Sequence, residues 1–281
     1  MKPFWGIDVT LDKKNERMNG DGLLVKRVSA RQAERFDSAV DTALELDARA
    51  ELPLALRILR GGCGIAALLI AGGIMKAWGG GTSLAEGYAN APYLFWAVGV
   101  CALVWLALAL AGRRRSSEVL DSREGKDAAS ELDEASESAY AELGVPAGSP
   151  DVDILSVTYR VKDGEIITKD SMTLIPFMNF SVKVFEENSM LCIADVTRRY
   201  EIPLSSLRGI RTVNKSIFLP QWLKDTPPDE GEYKQYKLTA DGYDRIRVRA
   251  YHILEFEHEG ELWGVYFPNY ELPRIEELVG H

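Results

Sequence analysis

GGCGIAALLIAGGIMKAW (61–78) and APYLFWAVGVCALVWLALALAG (91–112) decide how this chain is read. A helix needs about 20 mostly apolar residues to cross a hydrocarbon core. The second stretch meets that with no charged residue inside it. The first is rich in glycine and its uncharged run ends at Lys76. It becomes long enough if it continues to about Gly80, with Lys76 snorkelling to the headgroups. The pattern predicts a transmembrane hairpin with helices over 61–80 and 91–112. Its extracytoplasmic loop, 81–90, is too short to be a domain. Trp78, Tyr93 and Trp96 then gather at one interface, as interfacial aromatics do. The competing reading is a buried helical hairpin in a soluble protein, which would have to cover a very apolar element.

Basic residues set the orientation. Arg57 and Arg60 precede the first span, and Arg113, Arg114 and Arg115 follow the second. The other side has only Lys76. Both termini are therefore expected in the cytoplasm, with the protein a two-span component of the cytoplasmic membrane. Neither span carries a central carboxylate, Arg or His, so ion or proton transport is a poor reading. Small residues on both spans suit hairpin packing or homo-oligomerisation alike.

The chain has 281 residues and a formal net charge of −9. That balance argues against nucleic acid as a partner, because phosphate neutralisation needs a basic surface. Cys63, Cys101 and Cys192 are far apart and form no disulfide framework, which fits a reducing compartment.

Working outward, two flanking segments read as amphipathic helices. In 29–60, Ser29 and Gln32 form a capping-box signature. Phe36, Ala39, Ala43, Leu46 and Ala50 then recur at spacings of three and four. Pro53 is expected to kink this helix just before the membrane. In 113–144, Ala128, Leu132, Ala135, Ala139 and Leu143 repeat the pattern, with Gly144 and Pro146 as the stop and a break possible around Ser122 to Asp127. The two predict an antiparallel coiled-coil stalk, about 45 Å long at 1.5 Å per residue. Residues 1–28 predict a small β arm, with Phe4 to Thr10 strand-like and Asn19-Gly20-Asp21-Gly22 a turn. Such an arm is marginal alone and should pack on the C-terminal part.

From residue 150 the texture becomes β-rich. Strands are expected over Ile154 to Val161, Phe180 to Phe185, Met190 to Val196, Tyr200 to Leu204, Leu207 to Ile210, Arg245 to Arg249, Ile253 to Glu257 and Leu262 to Phe267. A closing amphipathic helix follows, with Leu272, Ile275, Leu278 and Val279 inward. The expected fold is a membrane-anchored α+β protein. Its hairpin is extended by the helical stalk, and 150–281 form an antiparallel barrel or sandwich closed by a short helix.

That layout resembles the bacterial two-span membrane proteins with a pleckstrin-homology-like (PH-like) cytoplasmic part, of the YcxB-like and bacterial PH-like kind. The resemblance is carried by the strand pair Phe180–Val196, the YEIPLSSLRGI stretch (200–210) and the helix after Phe267-Pro268-Asn269-Tyr270. It implies a cytoplasmic interaction module and supplies no catalytic residues. The Ala-rich stalk and the proline-rich insertion from Asp225 to Gly231 depart from it.

No P-loop, GxSxG, HExxH or Cys/His ligand spacing is present. Accordingly no catalytic residue, metal site or cofactor is predicted, and Glu255, Glu257 and Glu259 read as the outward face of a strand. The polar group that stands out is basic. Arg245, Arg247 and Arg249 share one strand face, with Arg198, Arg199, Arg208, Arg211 and Lys215 as candidate neighbours. They form either an anionic-lipid contact under the membrane or a solvated face paired with cross-strand Glu. Phe218, Leu219 and Gln221-Trp222-Leu223 are either core or a second contact surface. The leading expectation is a non-catalytic integral membrane protein. Its partners are the lipid bilayer and either another protein or further copies of itself.

Overall fold

The computed structural model describes residues 1–8, 17–78, 91–163, 165–168, 177–240 and 245–280. The expected 81–90 loop lies outside them. The chain divides into two units, residues 1–33 with 136–281, and residues 34–135.

The unit 34–135 is helical. It holds most of α1 (Ala30–Ala50), all of α2 (Leu54–Trp78) and α3 (Pro92–Leu120), and the first half of α4 (Arg123–Leu143). Pro53 does more than kink the chain: α1 stops at Ala50 and α2 starts afresh at Leu54, placing Arg57 and Arg60 in α2. A proline offers no amide to the preceding turn and blocks its carbonyl. In contrast, α3 runs unbroken through Arg113–Arg115 and ends at Leu120. The break at Asp121–Ser122 is tight, since Gly125 sits where a Cβ would lie 2.5 Å from the Val119 carbonyl oxygen. Between α1 and α4 the small apolar stripe is the buried one, with Ala39, Leu46, Ala50, Ala128 and Ala135 all covered. Arg35–Glu134 and Arg49–Glu124 pairs flank it. Helices α2 and α3 are antiparallel: the Arg60 guanidinium lies over Trp105, and a Cβ on Gly112 would be 3.2 Å from Leu52. Both are long and apolar enough to cross a membrane. Their outward side chains are bare, Leu68 at 75%, Leu69 at 71% and Leu103 at 67% exposure.

The other unit is built on an antiparallel meander. The strands β5 (Asp151–Lys162), β7 (Met178–Glu187), β8 (Met190–Ala194) and β9 (Arg198–Pro203) pair in sequence. On the far side of β5 lie β15 (Glu261–Pro268), then β14 (Tyr251–His258), then β10 (Leu207–Val213). Asn188 and Ser189 (φ 52 and 60) close the β7–β8 hairpin, and Glu259 and Gly260 (φ 52 and 76) the β14–β15 hairpin. These left-handed pairs match strand twist. Helix α5 (Leu272–Val279) ends the chain and caps at Gly280 with φ 74. The order β9-β8-β7-β5-β15-β14-β10 is open: among the described residues the two ends are not hydrogen-bonded to each other.

The N-terminal residues complete this sheet rather than forming a separate arm. Strand β1 (Lys2–Pro3) adds parallel to β15, and β2 (Trp5–Asp8) adds parallel to β5. Strand β3 (Arg17–Asn19) pairs with β2, and β4 (Leu24–Arg27) extends the sheet beyond β9. The short β6 (Glu165–Thr168) pairs with β5. A parallel addition needs a long connection between partners, and here 1–8 reach β5 from across the whole helical insertion.

Side chains alternate across a strand, so the central strands feed two cores. Ile154, Leu254, Val265 and Phe267 point to a core holding Phe4, Trp5, Tyr200, Phe256 and Ile275 of α5. Their neighbours Leu155, Ile253 and Tyr266 point to a second core. It is covered by a small sheet of β11 (Ile217–Leu219), β13 (Ile246–Val248) and β12 (Thr239–Ala240). Phe4 anchors the first core with edge-to-face contacts to Trp5 at 4.2 Å and Tyr200 at 5.2 Å. Gly20 permits this packing: its φ is +64, and a Cβ would stand 2.6 Å from the Phe4 ring. Gly20→Ala is expected to cost about 2–4 kcal/mol, from overpacking and a left-handed non-glycine residue. Gly148→Ala, also at positive φ but in open space, should cost only about 1 kcal/mol. Thermal denaturation of the two variants checks the difference.

Candidate functional site

The expected arginine face is split. Arg208 and Arg211 lie on β10, beside β14, and each already has a carboxylate. Arg211 Nε donates to Glu255 Oε1 at 2.5 Å, and Arg208 is ion-paired with Glu257. That pairing holds the Glu257 carboxyl below its ordinary value. Both pairs are exposed cross-strand contacts, with Gly209 (φ 135) bulging the strand between them. Of the expected strand Arg245 to Arg249 only Ile246–Val248 is strand, so Arg247 lies on β13 of the small sheet while Arg245 and Arg249 flank it. Arg245 lies over the Phe218 ring at 5.0 Å, Arg247 is exposed beside Ser216, and Arg249 is exposed. Leu219 is core, as is Phe218's neighbour Ile217.

Among the interfacial residues, Tyr93 and Trp96 open α3 with 69% and 67% exposure. Trp78 ends α2, its side chain lying outside the described residues. Arg113 and Arg114 are exposed on α3, and Arg115 Nε donates to the Arg49 carbonyl at 2.9 Å.

Two charge clusters carry no sequence signature. The first surrounds Arg199 on β9, a residue only 8% exposed. Its guanidinium donates to the Leu143 and Gly144 carbonyls at 3.4 and 3.2 Å, to Glu201 at 2.7 Å and to Glu187. It also covers the Phe185 ring at 5.0 Å. Helix α4 ends in a Schellman turn, with Val145 N–H on the Tyr140 carbonyl and Gly144 at φ +76. Arg199 thus meets the negative end of the helix dipole. Glu187, Cys192 and Glu201 bring potential ligand atoms within 4.8 Å of one another. The position a cation would take is held by Arg199 itself, which reaches Cys192 Sγ at 3.4 Å. Burial pushes the Cys192 thiol up, away from the thiolate. Arg199→Met strands both carboxylates. The expected loss is about 2–3 kcal/mol, less than for a fully buried pair because Glu187 reaches solvent. Arg199→Lys, which keeps the charge but not the fork, should fall between, as chemical denaturation would show.

The second cluster lies where the C-terminal helix begins. Asp153 and Glu271 are fully buried, and Lys224 Nζ lies between them at 3.1 and 2.6 Å. It also donates to the Asp151 carbonyl at 3.0 Å. Tyr270 OH donates to Asp153 Oδ2 at 2.7 Å, and the Asp153 N–H to Glu271 Oε1 at 3.0 Å. Arg274 donates to Glu271 Oε2 at 2.9 Å and to Glu232 at 2.7 Å. The network underlies an open cleft of about 450 Å³ lined by Ser181, Leu223, Thr226 and Tyr233. Lys224 is ion-paired with both carboxylates and hydrogen-bonded to the Asp151 carbonyl, so the cleft floor ties together β5, the 220–230 segment and α5, with Asp153 Oδ1 held by charge and not by a hydrogen bond.

Burial weakens the Lys224 ammonium, but Glu271 and Asp153 outweigh it and hold its pKa above 10.5. Burial and then Asp153 push the Tyr270 phenol far above its ordinary 10.0. The unfolded chain releases both protons from about pH 10 upward while the folded chain keeps them. Their contribution is therefore complete below pH 10 and lost as pH rises, about 1.4 kcal/mol per group per pH unit. The melting temperature should fall more steeply between pH 10 and 11.5 in the wild type than in Tyr270→Phe. No protein-family model, curated protein or solved structure matches this chain.

Proposed function

We propose that this is an integral protein of the cytoplasmic membrane, anchored by α2 and α3, that presents a PH-like β module for interaction and carries out no catalysis itself. The observation that carries the reading is the bare apolar surface of α2 and α3, for which lipid is the ordinary cover. Arginines cluster toward one end of the hairpin and Tyr93 and Trp96 toward the other, which favours both termini on the cytoplasmic side. The seven-strand order ending in α5 supports the likeness to YcxB-like and bacterial PH-like two-span proteins, although the sheet is open. The partner is another protein or a further copy of the chain.

A second reading, anionic-lipid binding by the module itself, is favoured by exposed Arg247 and Arg249. Arg208 and Arg211 contribute little to it, since their charge is already matched.

Single cysteines in an otherwise cysteine-free chain test the arrangement. Ser83→Cys should react with an impermeant maleimide in intact cells. Val25→Cys and Met178→Cys, both at exposed positions, should react only after permeabilisation. Labelling of Val25→Cys or Met178→Cys from outside would end the reading.

A further inference from the structure

Where Pro53 separates α1 from α2, the helical unit leaves a cleft of about 280 Å³ lined by Asp47, Glu51, Arg57, Arg60, Gly112 and Ser116. Its charges are ordered along the hairpin. Arg60 stands level with Trp105, inside the apolar run of α3, whereas Leu52 stands level with Gly112 and Arg49 with Arg115. The seven residue steps along α3 from Trp105 to Gly112 span about 10 Å at 1.5 Å per residue. The Arg60 guanidinium therefore enters deeper toward the hydrocarbon than the Asp47 carboxylate, while Arg57 and Glu51 meet each other at one level. Arg60 meets the Trp105 ring and no carboxylate among the described residues, while Arg57 is paired with Glu51. Around this cleft Ile58, Leu59, Leu106 and Leu110 are exposed and apolar.

We propose that this cleft binds one zwitterionic aminophospholipid, a phosphatidylethanolamine. The deeper Arg60 takes the phosphate, and the shallower Asp47, with Glu51 of the Arg57 pair, takes the ammonium. In a bilayer the phosphate lies at the edge of the hydrocarbon and the amine reaches toward water, which is the order of charges in the cleft. An arginine at that depth is costly unless it finds an anion at the interface, and guanidinium forks suit phosphate. A primary ammonium can hydrogen-bond two carboxylates. A trimethylammonium cannot, and a glycerol headgroup supplies no positive charge. The two acyl chains lie along the exposed residues of α2 and α3. The inference rests on the membrane reading above.

Native mass spectrometry of the full chain in detergent is the test, titrating phosphatidylethanolamine, phosphatidylglycerol and phosphatidylcholine with identical acyl chains. One phosphatidylethanolamine should be retained at about tenfold lower concentration than the other two, the worth of one charge-assisted hydrogen bond. Asp47→Asn with Glu51→Gln should erase that preference and, by freeing Arg57, favour phosphatidylglycerol. Arg60→Gln should weaken all three lipids, and Arg60→Lys should restore part of the loss. Equal retention of the three lipids, or a preference that survives Asp47→Asn with Glu51→Gln, would overturn the proposal. Competition by water-soluble glycerophosphoethanolamine at equal concentration would also overturn it, by assigning the site to a free headgroup. Alkaline carbonate extraction separates the two levels. A chain that stays with the membrane but shows no lipid preference loses only this inference, whereas release of the chain removes the membrane reading with it.

Discussion

Phe4 and Trp5 share one core with strands from the opposite end of the chain, and that constrains everything between them. The residues that join β1 and β2 to β15 and β5 precede the helical insertion, and their partners follow it. A chain whose two ends share one sheet can cross a bilayer only an even number of times. Two helices long and apolar enough to span are present among the described residues, which fits that even number. Under the membrane reading proposed above, the shared core and the arginine distribution each favour one side for both ends. Neither depends on a particular function for the module.

Within the sheet unit, the start of α1 and the end of α4 are held by polar contacts more than by apolar bulk. Glu142, near the end of α4, accepts both the N–H and the hydroxyl of Ser29 at 2.6 and 3.1 Å. The Ser138 hydroxyl donates to Gln32 Oε1 at 3.2 Å, and Arg199 holds the last carbonyls of α4. The first turn of α1 and the last turn of α4 are thus tied to each other and to β9. Leu143, Phe185, Cys192 and Ala194 form only a small apolar cluster beneath them.

Local periodicity made much of this legible. The spacing in 29–60 and 113–144 marks faces that are buried, and the alternation finds the long strands of the main sheet, whereas Arg245 to Arg249 shortens to Ile246–Val248 and the short strands Glu165–Thr168, Ile217–Leu219 and Thr239–Ala240 carry too few residues for a period to show. The capping box at Ser29 was only half readable. The Gln32 N–H reaches Ser29 Oγ at a long 3.4 Å, but the reciprocal acceptor is Glu142, 113 residues away. Cross-strand glutamates for Arg208 and Arg211 were one of two open readings, and register decides for them. The Lys224–Asp153–Glu271 lock left no trace in the sequence. Its members lie 71 and 118 residues apart, and nothing in a local window marks a lysine whose counter-charges come from another strand and a terminal helix. The N-terminal strands were legible as strands, but their place inside the sheet was not, since parallel edge additions have no turn to announce them.

Amide hydrogen exchange on the full chain in detergent tests the shared core most directly. The account expects the amides of β2 (Trp5–Asp8) to exchange only on global opening, with the same protection as the central residues of β5 and β15. Phe4→Ala should lower the protection of all three together. If β2 instead exchanged by local fraying while β5 and β15 stayed protected, the N-terminal strands would be a loose appendage. The argument that ties both ends of the chain to one side of the membrane would then fail.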